Sequence, residues 1–154
     1  MNWSEIVYYK EGNLYWKERP SPKISKDTLV GWINNQGYRC FEYKDKQYKA
    51  HSVIFELFNG KIYGIIDHID LNKSNNSIEN LRDSTKSQNQ YNTRARVSGK
   101  LKGVSWHKRD KKWISQIQIK GKRIYLGAFD TPQEAHNCYK QKLKQVAGEF
   151  ARYE

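Results

Sequence analysis

Apolar and polar positions alternate at short range through the first third of the chain, and turn residues cut the runs. Leu14-Tyr15-Trp16-Lys17 follows Gly12-Asn13, Tyr38 to Tyr43 follows Asn34-Asn35-Gln36-Gly37, and Arg19-Pro20-Ser21-Pro22-Lys23 reads as a loop. This is the pattern of short strands joined by tight turns, with Asp45-Lys46 as a hairpin tip. The period then changes. Val53, Ile54, Leu57 and Phe58 fall at helical spacing between His51 and Phe58, and Asn59-Gly60 supplies the stop. From Gly64 to Asn92 the chain is polar. An apolar stub, Ile65-Ile66, leads into Asp67-His68-Ile69-Asp70, a loop dense in asparagine (Asn72, Asn75, Asn76) and Ile78-Glu79-Asn80-Leu81. Thr85 and Gln88 have the spacing of a capping box, which starts a helix with Asn89 in its first turn.

Residues 94–101 carry charge and a glycine without apolar periodicity, so a linker is placed there. Residues 103–129 alternate with period two in three stretches divided by Arg109-Asp110-Lys111 and Lys120-Gly121-Lys122. Val104, Trp106, Trp113, Ile117, Ile119, Ile124 and Leu126 share one face, and Ser105, His107, Gln116, Gln118, Lys120, Arg123 and Tyr125 the other. A three-stranded antiparallel sheet follows, with Trp106 and Trp113 in its core. Thr131-Pro132-Gln133-Glu134 then gives an N-cap, a proline in the first turn and a capping-box glutamate. Ala135, Cys138, Tyr139, Leu143 and Val146 line one helical face, and Gly148 ends the helix. That helix covers the apolar face of the sheet and leaves the polar face bare. The fold class is α+β, in small modules.

The chain has 154 residues and 18.3 kDa, so it holds one ordinary domain or two to three small ones. Mean hydropathy is −0.97, yet 5 Trp and 11 Tyr are too many aromatics for a disordered chain. No run of 18 apolar residues and no apolar segment at the N-terminus is present, so the sequence predicts no membrane span and no secretory signal, and a cytoplasmic protein. Cys40 and Cys138 have no partner at metal-ligand spacing, which predicts two reduced core thiols and no structural zinc. Charge is unevenly spread. Residues 1–93 carry 13 Lys and Arg against 11 Asp and Glu, and residues 94–154 carry 15 against 5. A net +10 on the C-terminal part, interleaved with aromatic and β-branched residues, points to nucleic acid rather than a lipid surface.

The stretch from His51 to Asn92 resembles the HNH endonucleases of phage and mobile introns. The residues that carry the resemblance are Ile66-Asp67-His68-Ile69-Asp70, Asn75 to Arg82 and Gln88-Asn89-Gln90-Tyr91-Asn92. Gly12 to Lys17, Gly37-Tyr38-Arg39 and Tyr48 to His51 resemble the lead-in of that group; Ser52 departs from it, standing where members often carry Arg. The resemblance implies a ββα-metal (His-Me finger) nuclease region with a β-rich N-terminal extension over residues 1–93, its core at about 48–93. It implies that His68 is the general base, that Asp67 and Asn89 hold one divalent cation, Mg²⁺ or else Mn²⁺, and that Asn80 positions the loop and the imidazole. The chemistry suits such a set. Phosphodiester hydrolysis needs a base for water, for which histidine's ordinary pKa of about 6.5 is apt, and a hard cation to carry charge on the leaving oxygen. Taken singly, an Asp-His pair is a hydrogen-bonded turn and an Asn-rich loop is a set of turns; the joint spacing of Asp67, His68, Asn80 and Asn89 carries the assignment. His51 is either a DNA contact or a packing residue. Asp70 and Glu79 are read as loop and cap residues.

Residues 102–154 contain Lys102 to Trp106, Lys112-Trp113-Ile114, Ile124 to Thr131 and Glu134-Ala135, and resemble the Apetala-two (ERF) DNA-binding domain. That resemblance implies that the polar sheet face enters the DNA major groove. By position, Ser105, His107, Gln116, Gln118, Arg123 and Tyr125 would contact DNA, with Lys108, Lys120 and Lys122 on phosphates. Plant relatives carry several Arg where this chain has Ser, His and Gln, so their target sequence does not transfer. The expected function is a metal-dependent endonuclease of the homing type, monomeric and acting on double-stranded DNA, which it nicks or cuts at a site addressed by the C-terminal module. A DNA-binding regulator that does not cut is the alternative.

Overall fold

The computed structural model describes residues 1–95 and 100–153, so residues 96–99 of the expected linker lie outside the described residues. The chain forms two compact units, Met1–Ser84 and Thr85–Glu154. The division falls before the helix that carries Asn89, nine residues earlier than the boundary placed after residue 93 from sequence.

In the first unit a short helix α1 (Trp3–Ile6) precedes the hairpin β1 (Val7–Lys10) and β2 (Asn13–Trp16). A three-stranded antiparallel sheet follows, β3 (Trp32–Ile33), β4 (Arg39–Tyr43) and β5 (Lys46–Lys49), with β4 in the middle. Then come helix α2 (Ala50–Asn59) and the hairpin β6 (Ile65–His68) and β7 (Leu81–Ser84), joined by the Asn-rich loop. The β1–β2 and β4–β5 loops are two residues long, Glu11-Gly12 and Lys44-Asp45, and all four residues have positive φ. That geometry matches the twist of the strands it joins. The second hairpin tip sits one residue before the expected Asp45-Lys46.

The core of this unit is aromatic and β-branched. Trp3, Val7, Leu14, Trp16, Val30, Phe41, Val53, Ile54, Ile66 and Leu81 are all buried. Gly31 has φ +76, and a Cβ there would lie 2.0 Å from the Cys40 carbonyl oxygen, so only glycine permits the chain to pass β4 at that distance. Helix α2 buries Ala50, His51, Val53 and Ile54, whereas Phe58, expected on the same face, is 54% exposed. Its side chain packs edge-on against Tyr9 of β1 at 5.0 Å and not into the core.

In the second unit, helix α3 (Lys86–Tyr91) begins with the capping box of Thr85 and Gln88. A sheet of order β10-β9-β8 follows, from β8 (Val104–His107), β9 (Lys112–Ile119) and β10 (Lys122–Phe129), backed by helix α4 (Pro132–Ala147). Thr131 and Glu134 form the expected capping box. Ile117, Tyr139, Leu143, Ala147, Phe150 and Tyr91 make the core.

Several expected core positions differ. Trp106 is 46% exposed and Ile124 38% exposed, because β8 is a four-residue edge strand and α4 covers the sheet around Ile117, not its rim. Trp106 rests on Trp113 with ring centroids 5.1 Å apart. Cys138 is only half-buried, while Cys40 is fully buried. A β-bulge between Tyr125 and Gly127 interrupts the simple alternation at Leu126. No helix among the described residues is long and apolar enough to cross a membrane.

Candidate active site

The β6–β7 register sets the chemistry of the first unit. Asp67 pairs with Arg82 across the hairpin and His68 with Leu81. Because side chains alternate across a strand, Asp67 and His68 point to opposite faces of the ribbon. Both are buried, at 4% exposure each. Arg82 donates to Asp67 Oδ2 from Nε at 3.0 Å and from Nη2 at 2.9 Å, a buried, charge-assisted pair.

His68 Nε2 lies 3.0 Å from Asn76 Oδ1, and Asn76 is itself buried. With the ring proton on Nε2, Asn76 accepts it and the lone pair falls on Nδ1. His51 packs edge-on against His68 at 5.0 Å and against Tyr38 at 5.3 Å. Burial, then the neighbouring His68 and Lys49, pull the pKa of His51 down to about 3. Its Nδ1 is buried without a hydrogen-bond partner.

The loop between β6 and β7 is held by Asn80. Its side chain accepts from the Asp70 amide at 3.0 Å and donates to Asp70 Oδ1 at 2.9 Å and the Asn75 carbonyl at 2.8 Å. Asp70 also accepts from the Asn72 amide and the Asn75 side chain. Burial alone would raise the Asp70 pKa, but these bonds and the charge of His68 hold it below the ordinary carboxylate value. Asn80 thus fixes the loop, while Asn76 meets the imidazole that the sequence reading gave to Asn80. Asn76 stands in the loop dense in asparagine, and no local pattern distinguishes it from its neighbours as the side chain that meets the imidazole.

Asn89 lies on α3, in the second unit. In that unit β9 and β10 bring four expected DNA-contact residues together, since Gln116 pairs with Tyr125 and Gln118 with Arg123. Ser105 and His107 on β8 share that face through their pairing with Ile114 and Lys112, so an apolar residue, Ile114, interrupts the polar surface. Lys108 lies beyond the end of β8, Lys120 in the β9–β10 turn and Lys122 at the start of β10. Tyr125 is 63% exposed. The Gln118 amide is occupied at both ends, accepting from Gln90 at 3.1 Å and donating to the Gly121 carbonyl at 3.3 Å. His107 faces Asp110 at 3.1 Å. Among the described residues no group of three or more His, Cys, Asp or Glu is gathered as a metal cluster.

A buried Asp-His pair on a short hairpin, closed by an Asn-rich loop, is the candidate site of the first unit. A model of the HNH endonuclease family matches residues 48–91, which span the end of β5 through α3. The chain is 32% identical over 114 residues to Protein 3.8 of Escherichia phage T7, covering 69% of this chain and 93% of that protein. It is 30% identical over 139 residues to a protein of Acanthamoeba polyphaga mimivirus described as an uncharacterized HNH endonuclease, covering 84% of this chain and 68% of that one. The chain belongs to the HNH endonuclease family. The family match ends at residue 91, so the Apetala-two likeness of residues 102–154 rests on sequence pattern alone.

Proposed function

We propose that the protein is a divalent-metal-dependent endonuclease that hydrolyses phosphodiester bonds of double-stranded DNA, with His68 as general base. The observation that carries this is the fixed imidazole. His68 is buried on β6 with Nε2 held by Asn76 at 3.0 Å, which fixes the ring in one orientation, as a general base requires. Asp67 would hold the cation, and the family resemblance names Asn89 as its second ligand. Both are hard oxygen donors, and so sparse a set fits an ion that keeps most of its waters and takes substrate phosphate. When bound, the cation supplies charge for the leaving oxygen. Arg82 neutralises Asp67 in the protein as it stands, and Asn80 keeps the loop rigid around the base.

The basic second unit is an Apetala-two-type DNA-binding module in this reading. Its three-stranded antiparallel sheet backed by one helix, and the adjacency of Gln116, Tyr125, Gln118 and Arg123, support that assignment. Gln and Arg on such a face read base edges, and the lysines hold phosphate.

The test is incubation of supercoiled host or phage DNA with the protein in Mg²⁺, Mn²⁺ or EDTA, beside His68→Ala and Asn76→Ala. Nicking or linearisation should need the metal. It should fall by about 10²- to 10⁴-fold in His68→Ala, and by about 10- to 100-fold in kcat with little change in KM in Asn76→Ala. Binding without cutting in either metal would leave the DNA-binding regulator as the better reading.

A further inference from the structure

Beside the His51–His68 pair the first unit gathers two lysines on one ring. Lys49 Nζ lies 4.8 Å and Lys73 Nζ 4.7 Å from the centroid of Tyr38. The three residues come from separate segments: Tyr38 precedes β4, Lys49 ends β5, and Lys73 stands in the loop between β6 and β7. Lys73 is also tied down by donating to the Gln36 carbonyl at 3.0 Å. The Tyr38 ring is 6.1 Å from His68 and packs on His51, so Tyr38 links the two cations to the ring pair that holds the candidate base.

Local stability does not account for this arrangement. A cation–π contact at an exposed site contributes about 0.5–1 kcal/mol, which two like charges drawn to one ring oppose. Neither lysine has a carboxylate partner among the described residues. The nearby Asp70 is occupied by Asn72, Asn75 and Asn80. Lys49 is moreover the N-cap of α2, with no side-chain cap bond, which puts a cation at the positive end of a ten-residue helix. Two cations held on one ring, against local preference and without a carboxylate partner among the described residues, describe a place for an anion.

We propose that Lys49 and Lys73, held on Tyr38, form a phosphate subsite of the nuclease unit, which takes a backbone phosphate of the DNA strand next to the bond addressed by His68. The subsite deepens the nuclease reading and rests on it for the identity of the neighbouring bond. Phosphate binding there guides the strand over the imidazole, and Tyr38 sets the spacing of the two ammonium groups.

The experiment compares the full-length wild type, the double variant Lys49→Met/Lys73→Met and the control Lys44→Met on one DNA duplex. Lys44 makes the same kind of contact, with Tyr43, away from the cluster. Methionine keeps the stem and removes the charge, and circular dichroism verifies the fold. In EDTA, the slope of log K against log salt should shrink by about one in the double variant, as expected for the loss of one phosphate contact. Affinity near 100 mM salt should drop roughly tenfold or more, and Lys44→Met should match the wild type. In metal, the double variant should show a raised KM with kcat at saturating DNA retained. An unchanged slope and KM in the double variant overturn the subsite even where the wild type cuts DNA. A lost slope in a protein that never cuts keeps the subsite and overturns the nuclease reading.

Discussion

His51 is closely confined: 4% exposed, packed edge-on against Tyr38 and His68, with Lys49 immediately before α2. These are the charged and titratable groups it faces, and none stabilises an imidazolium. Its folded pKa of about 3 lies below the ordinary 6.5. Between those two values the unfolded chain binds more protons than the native one, so stability rises with pH there. The contribution of the neutral ring is complete above pH 6.5 and drains away as pH falls toward 3, by on the order of a few kcal/mol. The orphan Nδ1 adds a separate cost, typically about 1–3 kcal/mol for a buried polar atom without a partner. His51→Phe keeps an aromatic ring and removes both effects. Urea denaturation at pH 7.5, 6, 5 and 4 should show it about 1 kcal/mol or more above wild type at neutral pH, with a shallower acid slope. Parallel acid slopes in the two proteins would show that the linkage belongs to another group.

At the scale of elements, the β6–β7 hairpin is held by an ion pair that its own register creates, because Asp67 and Arg82 are direct cross-strand neighbours. Removing one partner of a buried pair strands the other, at a cost of about 3–5 kcal/mol. Arg82→Met should therefore lower the melting temperature sharply in EDTA. A cation at Asp67 would replace the lost positive charge, so Mg²⁺ should raise the melting temperature more in Arg82→Met than in wild type. Equal shifts in calorimetry with and without Mg²⁺ would rule out Asp67 as a ligand.

This hairpin also shows which features a sequence exposes. Capping boxes at Thr85 and Thr131 and tight turns at Gly12 and Gly121 are legible because the residues that make them are within four positions of each other. The alternation in β8 and β9 assigns the sheet faces correctly, since one local period decides both. What alternation does not contain is how far α4 reaches over the sheet, hence the exposed Trp106, or where a bulge absorbs a residue, hence Leu126. The same limit applies at the site. The Asp67-His68 step is visible in the chain, but the choice of Asn76 over Asn80 to meet the imidazole depends on how a twelve-residue loop closes. Asn80 is consumed by Asp70 and Asn75 before it can reach the ring.

For the whole molecule, charge and chemistry are divided between the units. Residues 1–84 carry 12 Lys and Arg against 11 Asp and Glu, and residues 85–154 carry 16 against 5. The buried Asp-His pair thus belongs to a nearly neutral unit and the long-range field to the other. Affinity for a polyanion follows the field and falls with salt in proportion to the phosphates neutralised, whereas in the proposed reading the bond-breaking step depends on the buried Asp67 and His68. Binding and turnover should therefore separate by mutation. In the full chain, replacing Lys120, Lys122 and Arg123 together by Gln should lower the salt slope of DNA binding by about three and raise KM. It should leave kcat at saturating DNA near wild type, while His68→Ala should do the reverse. Fluorescence anisotropy between 50 and 200 mM salt gives the slope, and steady-state cleavage gives KM and kcat. A triple variant that loses kcat but keeps the slope would mean that these residues act on the reacting bond and not on the address. The basic sheet would then belong to the catalytic machinery.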